Sequence, residues 1–280
     1  MKVFTKVIFL FLFTLVSLEN YAQGKIDQSK DEIKKGSKTQ KSGSNQSGSS
    51  SSSFSSQDER SLGNVIAGGI VQGILYLTFY STIGVYRLED HLHSNLTKYP
   101  YYNHSGNYES TDSVYSSKIH FRFDLDYQFL YSNSNLIGSH FKANIRPFQY
   151  FYLQGQYHEL TEHNKNGTYS NLSLLTAYFA YDRLRFERFN FGWKLGMCYI
   201  FNNVNKGGLS FGLDAEAFIV KPVSLFVSKQ WGGINGKPVN QFEVSGKYHI
   251  KRYNLHVGYE HLKIASPVYD YLFLGGGVSL

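Results

Sequence analysis

Cysteine is almost missing from this sequence of 280 residues, which contains Cys198 alone. A single cysteine excludes a disulfide within the chain and a zinc site made of thiolates. In an apolar strand such a residue is usually a small buried or lipid-facing side chain rather than a nucleophile. The zinc-protease pattern His-Glu-x-x-His and the glycine-rich phosphate loop are also missing. We therefore expect no cofactor.

Charged residues are scarce as well, at 18% of the chain, against roughly 25% in ordinary soluble proteins. Aromatic residues reach 17%, and their side chains suit the pleated, half-buried surface of a β-sheet. The formal net charge of +7 owes much to six lysines between residues 25 and 41. We interpret these lysines as a solvated basic tail and expect no nucleic acid as a partner.

The N-terminal residues 1–22 have the layout of a secretory signal peptide. Lys2 and Lys6 precede a continuous apolar run over residues 7–18, and cleavage is expected after Ala22. Residues 23–60 are then polar, charged and rich in serine, with too few apolar side chains to offset the entropy of ordering. For this segment we predict a disordered tail that can contact other envelope proteins.

Residues 61–116 form a connecting segment of mixed character. The stretch 61–86 has no charged residue and spaces its apolar residues as a helix does, so it predicts one apolar helix. We expect that helix to pack against, inside or beneath the domain that follows, and an inner-membrane anchor is the alternative. His91 and His93 stand beside two carboxylates and are candidate metal ligands, with a solvated loop as the ordinary interpretation.

Residues 117–280 alternate apolar and polar side chains with a period of two. In the segment 119–129, Phe121, Phe123 and Leu125 share one face, and the opposite face carries charges. Ten such segments can be recognised, and the clearest have the length of a tilted strand that crosses a membrane. Their large aromatic side chains would overfill a closed soluble interior. The predicted fold class is all-β: a closed antiparallel up-and-down transmembrane β-barrel of about ten strands.

Short and long connections alternate along this domain. Residues 221–222 and 251–252 are short, whereas 161–170 and 201–207 are longer and rich in turn residues. Outer-membrane barrels combine short periplasmic turns with long extracellular loops. The pattern therefore predicts localisation in the outer membrane, five long outer loops, and a barrel with both of its ends in the periplasm.

The layout as a whole resembles small outer-membrane barrels of the Bacteroidetes type. The similar features are a Phe-rich signal ending in Tyr21-Ala22-Gln23, a Ser-rich tail, and alternating strands rich in Tyr and Phe. The chain departs from the usual pattern at its end, because Leu280 replaces the customary terminal aromatic residue. The resemblance implies a fold and a location, and it implies no activity.

Three roles are compatible with such a barrel. Ten strands enclose a narrow lumen that charged side chains close, which predicts a structural, adhesive or assembly role with membrane lipids as partners. The second role is a barrel-wall hydrolase or lipid-modifying enzyme, with His158, Glu260 and His261 as candidate catalytic residues near the outer loops. The third role is a narrow pore.

Overall fold

The computed structural model describes residues 24–36, 83–85, 87–103, 106–110 and 121–280. Helix α1 covers Lys25–Lys35, and a short 3₁₀ helix covers Asp90–His93. Two short strands pair with each other, β1 (Asn95–Leu96) and β2 (Tyr108–Glu109). Ten longer strands follow: β3 (Arg122–Asn133), β4 (Leu136–Arg146), β5 (Phe151–His163), β6 (Tyr169–Arg185), β7 (Phe189–Ile200), β8 (Lys206–Val220), β9 (Val223–Ile234), β10 (Lys237–Ile250), β11 (Tyr253–Ile264) and β12 (Val268–Ser279).

The ten long strands form one closed antiparallel barrel. Each strand pairs with the next along the chain, and the sheet closes where β12 pairs with β3, for example at Leu274 and Phe129. The strands have 11 to 17 residues, which is enough for a tilted strand to cross a membrane. The predicted closed up-and-down barrel of ten strands is confirmed.

Side chains alternate between the two faces of the barrel wall. On β3, Tyr127 and Phe129 point outward and are about half exposed, whereas Arg122, Asp124 and Gln128 are buried inside. An apolar outside and a polar inside are the reverse of a soluble barrel, and this is how barrels of the outer membrane are built. The predicted facing of the strands is confirmed, and the architecture agrees with the predicted outer-membrane location.

Exposed aromatic side chains mark both rims of this apolar wall. They are Tyr131 and Tyr169 at one rim, and Phe148, Phe186 and Tyr253 at the other. Outer-membrane barrels carry such aromatic girdles where the wall meets the two membrane interfaces. Many of the aromatic residues of this sequence therefore lie on the outside of the wall.

The two ends of the barrel have different surroundings. One end, which we call the hairpin mouth, is surrounded by connections only. These are the five at residues 134–135, 164–168, 201–205, 235–236 and 265–267. The terminal mouth is surrounded by turns at residues 147–150, 186–188, 221–222 and 251–252, and by the end of the chain, where Phe123 and Leu280 exchange two backbone hydrogen bonds. Every connection has only two to five residues. The prediction of five long outer loops is therefore wrong, because the strands continue into the turn-rich segments.

The prediction of a disordered tail over 23–60 is wrong at Lys25–Lys35, where helix α1 forms. Ile26, Ser29 and Ile33 recur every three or four residues, so they share one face of the helix, and all three are buried. The expected signal peptide, the remainder of the tail and most of the predicted apolar helix at 61–86 lie outside the described residues. Within the described part of the chain, no helix is long and apolar enough to cross a membrane.

Candidate functional site in the barrel lumen

An apolar layer fills the lumen just inside the hairpin mouth. Its inward-facing side chains include Leu130, Leu160, Leu172, Ile200, Ile234, Leu262 and Ile264. Helix α1 lies on this layer and contributes Ile26 and Ile33, which are both completely buried. Full burial of one such side chain is worth about 1.5–3 kcal/mol. The barrel interior therefore holds α1 through a hydrophobic contact.

Polar side chains of the barrel bind both ends of α1. At its first turn, the Glu162 carboxylate accepts hydrogen bonds from the backbone N–H of Lys25 at 3.2 Å and of Ile26 at 2.9 Å. A carboxylate is favourable there because the first amides of a helix lack hydrogen-bond partners within the helix. The N-terminal end of the helix dipole also carries a partial positive charge. At the last turn, Asn235 Nδ2 donates to the carbonyl oxygen of Ile33 at 2.7 Å. Helix α1 is thus capped by residues far away in the sequence.

A buried cluster of two histidines and one glutamate lies deeper in the lumen. His140 and His158 are directly opposite each other on β4 and β5, and their rings stack with centroids 3.7 Å apart. Glu260 reaches them from β11. Its two oxygens lie 3.1 Å from His140 Nδ1 and 2.9 Å from His158 Nε2. All three side chains are shielded from solvent.

A second carboxylate extends this His140–His158–Glu260 cluster. Glu243 stands directly opposite Glu260 on the neighbouring strand β10, where two like charges would repel each other. Lys142 compensates the negative charge of Glu243, because its ammonium group donates a hydrogen bond to that carboxylate at 2.9 Å. Gln128 connects this ion pair to the His140–His158–Glu260 cluster. It donates to Glu243 at 2.9 Å, and its oxygen lies 3.0 Å from His140 Nδ1. The result is a continuous hydrogen-bonded network across the lumen.

The arrangement assigns the protons of the two imidazoles. His140 Nδ1 faces oxygens of both Glu260 and Gln128, so it must carry the proton, and His158 Nε2 likewise donates to Glu260. The remaining nitrogens, His140 Nε2 and His158 Nδ1, are buried without a hydrogen-bond partner in the described part of the chain. As acceptor lone pairs they cost less there than buried N–H donors would.

The same three residues are the group in the described chain whose donor atoms could surround a metal ion, all within 4.8 Å of one another. A metal bound at the nitrogens that face Glu260 would place protons on the other two nitrogens. Histidine ligands normally donate that second N–H to an acceptor, and the described residues provide none here. The cluster therefore fits a hydrogen-bonded group better than a resident metal site.

The terminal mouth is closed by a second charged group. Asp182 accepts a hydrogen bond from Arg146 at 2.7 Å and another from the hydroxyl of Tyr108 at 2.5 Å. Tyr108 belongs to β2, so this group attaches the small β1–β2 sheet to the barrel wall. Arg122 strengthens the attachment by donating to Asn107 at 3.0 Å. The segment before the barrel thus covers its terminal mouth.

A polar cavity of about 70 Å³ lies in the terminal half of the lumen. Its lining includes Asp126, Lys142, Arg146, Asp214, Lys247 and Asn254. Because one water molecule needs roughly 10–15 Å³ by this kind of measure, the cavity has room for a few waters. A cavity of this size is not an open channel through the lumen.

The candidate metal ligands His91 and His93 lie at the rim of the terminal mouth, in the 3₁₀ helix. His91 Nε2 is 3.5 Å from Glu89 and only 3.3 Å from the guanidinium of Arg183. Arg183 also pairs with Glu89 at 2.8 Å, so an arginine stands where a metal cation would be needed. Burial lowers the pKa of His91. Within the described residues, His91 and His93 belong to no group of three metal-binding side chains.

The candidate catalytic residues are only partly brought together. His158 and Glu260 are in contact, but His261 faces the outside of the wall, because neighbouring residues of a strand point to opposite faces. There His261 Nδ1 lies 2.7 Å from Asp270, which also accepts a hydrogen bond from Tyr259. Glu260 and His261 therefore do not form one acid–histidine pair.

One motif escaped the sequence reasoning. Residues 208–212 read Gly-Leu-Ser-Phe-Gly, the pattern of a serine nucleophile between two glycines. In hydrolases the pattern works on a sharp strand-to-helix turn, whereas here it lies within the regular strand β8. Ser210 is buried and shares a 2.6 Å hydrogen bond with Tyr178. The surroundings are those of a structural serine.

Comparisons with known proteins give similarity of shape only. No family model and no curated protein matches this sequence. Among solved structures, the N-terminal β-barrel domain of Pseudomonas aeruginosa OprF matches at 11% identity over 57% of this chain and 97% of that one, with a TM-score of 0.29. Ail, the attachment invasion locus protein of Yersinia pestis, matches at 11% identity over the same shares with a TM-score of 0.29. An outer membrane channel from Pseudomonas putida F1 matches at 10% identity over 61% of this chain and 100% of that one, with a TM-score of 0.32. At these levels nothing about the role of this chain follows, and the resemblance to Bacteroidetes-type barrels stays a prediction.

Proposed function

We propose that this chain is a closed, non-conducting barrel of the outer membrane with a structural role in the envelope, and with membrane lipids around its wall. The observation that carries the proposal is the filling of the lumen by the chain itself. Three consecutive barriers support it. They are α1 on its apolar layer, the His140–His158–Glu260 cluster with its hydrogen-bonded neighbours, and the β1–β2 sheet held by Asp182.

The size of the internal cavity supports the same conclusion. Barrels of about eight strands are filled by side chains, whereas those with 16–18 strands enclose an aqueous channel. With ten strands, this barrel is near the filled end of that range, and its cavity of about 70 Å³ holds only a few waters. A continuous path for ions would require several of these contacts to break at once.

The alternative roles find less support in the geometry. A barrel-wall enzyme would need an accessible acid–histidine pair, but Glu260 is completely buried and both of its oxygens are engaged by imidazoles. Adhesion through outer loops would need long loops, and the five hairpin connections have at most five residues. The structural role therefore stands ahead of the adhesive one.

Planar-bilayer recording of the purified full-length chain tests the proposal. A 16- or 18-stranded porin is the positive control, and heat-modifiable migration on gels verifies that the inserted chain is folded. We expect no stable conductance steps from the folded chain at neutral pH. Reproducible unitary steps that scale with salt concentration would overturn the closed-barrel function and support the narrow pore.

A further inference from the structure

Helix α1 lies at one end of the barrel only. Its contacts are with residues at the hairpin mouth: Glu162, Asn235, Ile264, Ser266 and Val268. Each of these residues is within a few positions of a hairpin connection. Helix α1 is therefore held at the end of the barrel that lies farthest from Leu280.

The next described part of the chain lies at the opposite end. Gly106 donates its backbone N–H to the carbonyl of Glu187, in the turn between β6 and β7, at 2.7 Å. Tyr101 donates to the carbonyl of Val223, at the start of β9, at 2.6 Å. Residues 87–103 and 106–110 thus cover the terminal mouth. Gly36 and Ile83 therefore lie at opposite ends of the barrel.

The position of Ile83 relative to the barrel wall is fixed by a hydrogen bond. Its carbonyl accepts a 2.9 Å hydrogen bond from the hydroxyl of Tyr181 on β6. Tyr181 is on the outward face of the wall, where its ring packs against Phe151 and Trp193. Although it faces outward, Tyr181 is only 2% exposed. Ile83 therefore lies against the outside of the barrel wall rather than in the lumen.

We propose that α1 is displayed at the cell surface, across the membrane from the barrel's C-terminus. The orientation rests on the expected periplasmic location of both ends of the barrel, since Arg122 at the start of β3 and Leu280 after β12 both lie at the terminal mouth.

This placement makes α1 a surface element rather than a periplasmic tail. Its solvent face carries Asp27, Gln28, Asp31, Lys34 and Lys35, all exposed, while its other face is fixed to the barrel. The barrel then acts as a membrane anchor that presents a charged helix to the exterior. The inference requires the barrel to lie in the outer membrane, but it does not require the lumen to be impermeable to ions.

Labelling of single introduced cysteines in intact cells tests the topology. The native Cys198 is buried in the lumen, so the unmodified chain serves as the unlabelled background. The variants are Lys34→Cys on α1, Lys165→Cys in a hairpin connection and Arg252→Cys in a terminal turn, all at exposed positions. The probe is a membrane-impermeant maleimide, applied before and after the outer membrane is permeabilised.

We expect Lys34→Cys and Lys165→Cys to be labelled in intact cells, and Arg252→Cys only after permeabilisation. Identical behaviour of Lys34→Cys and Arg252→Cys would overturn the proposal, because both ends of the chain would then be on one side. Labelling of Arg252→Cys alone in intact cells would overturn the surface display of α1. Neither result depends on conductance, so a failure here is distinguishable from a failure of the proposed closed barrel.

Discussion

The backbone N–H of Ile26 donates a 2.9 Å hydrogen bond to Glu162, a residue 136 positions further along the chain. The other oxygen of Glu162 accepts the N–H of Lys25. The residue before the helix is Gly24, which has no side chain to serve as a cap. A barrel strand therefore supplies the acceptor that the sequence of α1 lacks, and the docking of α1 depends on Glu162.

Substitution of Glu162 should loosen α1 without unfolding the barrel. Glu162→Ala removes the acceptor for two amides at a helix N-terminus, which costs about 1 kcal/mol of docking free energy. A change of that size corresponds to about a fivefold rise in the population of undocked helix. Hydrogen exchange of the amides in residues 26–36, followed by mass spectrometry of the folded protein, measures the change.

The matched control is Glu159→Ala on the same strand. Glu159 bonds to Tyr157 and Ser173 instead of α1. We expect its exchange at residues 26–36 to equal that of the unmodified chain. Equal exchange in Glu162→Ala would show that the apolar contacts of Ile26 and Ile33 hold α1 without the cap.

Acidification should also release α1, through Glu32. Hydrogen bonds from Gln28 and from Ser266 lower the pKa of Glu32 below its ordinary value of 4.5. Gln28 lies on α1 itself, so only the bonds from Ser266 link this pKa to docking. Through them the carboxylate stabilises docking above pH 4.5, and this contribution is lost as the pH falls through the lowered pKa. An environment-sensitive dye on Lys34→Cys should report undocking between pH 5 and pH 3. Glu32→Gln should remove this part of the pH response, and an unchanged response would assign it to other carboxylates.

The barrel could be predicted from the sequence because a strand alternates its side chains regardless of its partners. On β3, the apolar residues Tyr127 and Phe129 and the polar residue Gln128 reveal the two faces without any knowledge of the neighbouring strands. Connection lengths could not be predicted in the same way. Turn residues such as Asn202 and Asn235 sit at positive φ within tight hairpins, and the sequence gives no sign that the strands continue up to them.

The candidate site was less accessible to sequence reasoning. Glu260 meets His140 and His158 across the lumen, over separations of 120 and 102 residues that only barrel closure can bridge. The alternation did contain enough information to separate Glu260 from His261, because adjacent residues face opposite sides. Helix α1 also had a signal: Ile26 and Ile33 recur at helical spacing, although they stand in a segment dominated by lysine and polar residues.

Removal of Glu260 should destabilise the barrel strongly. Glu260→Ala leaves the Nε2–H of His158 without its carboxylate, whereas His140 keeps the oxygen of Gln128 at 3.0 Å. An unsatisfied buried donor costs about 1–3 kcal/mol. Glu260→Gln retains an acceptor and should cost less. The measurement is urea unfolding of the chain in lipid vesicles, followed by heat-modifiable migration on gels.

A double-mutant cycle separates this interaction from the loss of packing. We expect the effects of Glu260→Ala and His158→Ala to be non-additive, since both remove the same 2.9 Å hydrogen bond. Glu159→Ala, on the outer face of the wall, serves as the control for removal of a carboxylate outside the lumen. Additive effects within about 0.5 kcal/mol would mean that the pair is not coupled.

At the terminal mouth, Asp182 should matter more than Tyr108, although both belong to the same group. Asp182→Ala leaves the buried guanidinium of Arg146 without its 2.7 Å partner, and breaking such a pair costs about 3–5 kcal/mol. Tyr108→Phe removes one neutral donor to a carboxylate that Arg146 still satisfies, which costs about 1 kcal/mol. Urea unfolding measures both costs, and limited proteolysis of residues 87–110 reports whether the β1–β2 sheet detaches. We expect Tyr108→Phe to speed cleavage near β1 and β2 while the barrel stays folded, because the hydroxyl is one of several groups that join this sheet to the wall. Equal losses of stability in the two variants would show that the sheet, and not the ion pair, holds this end of the barrel together.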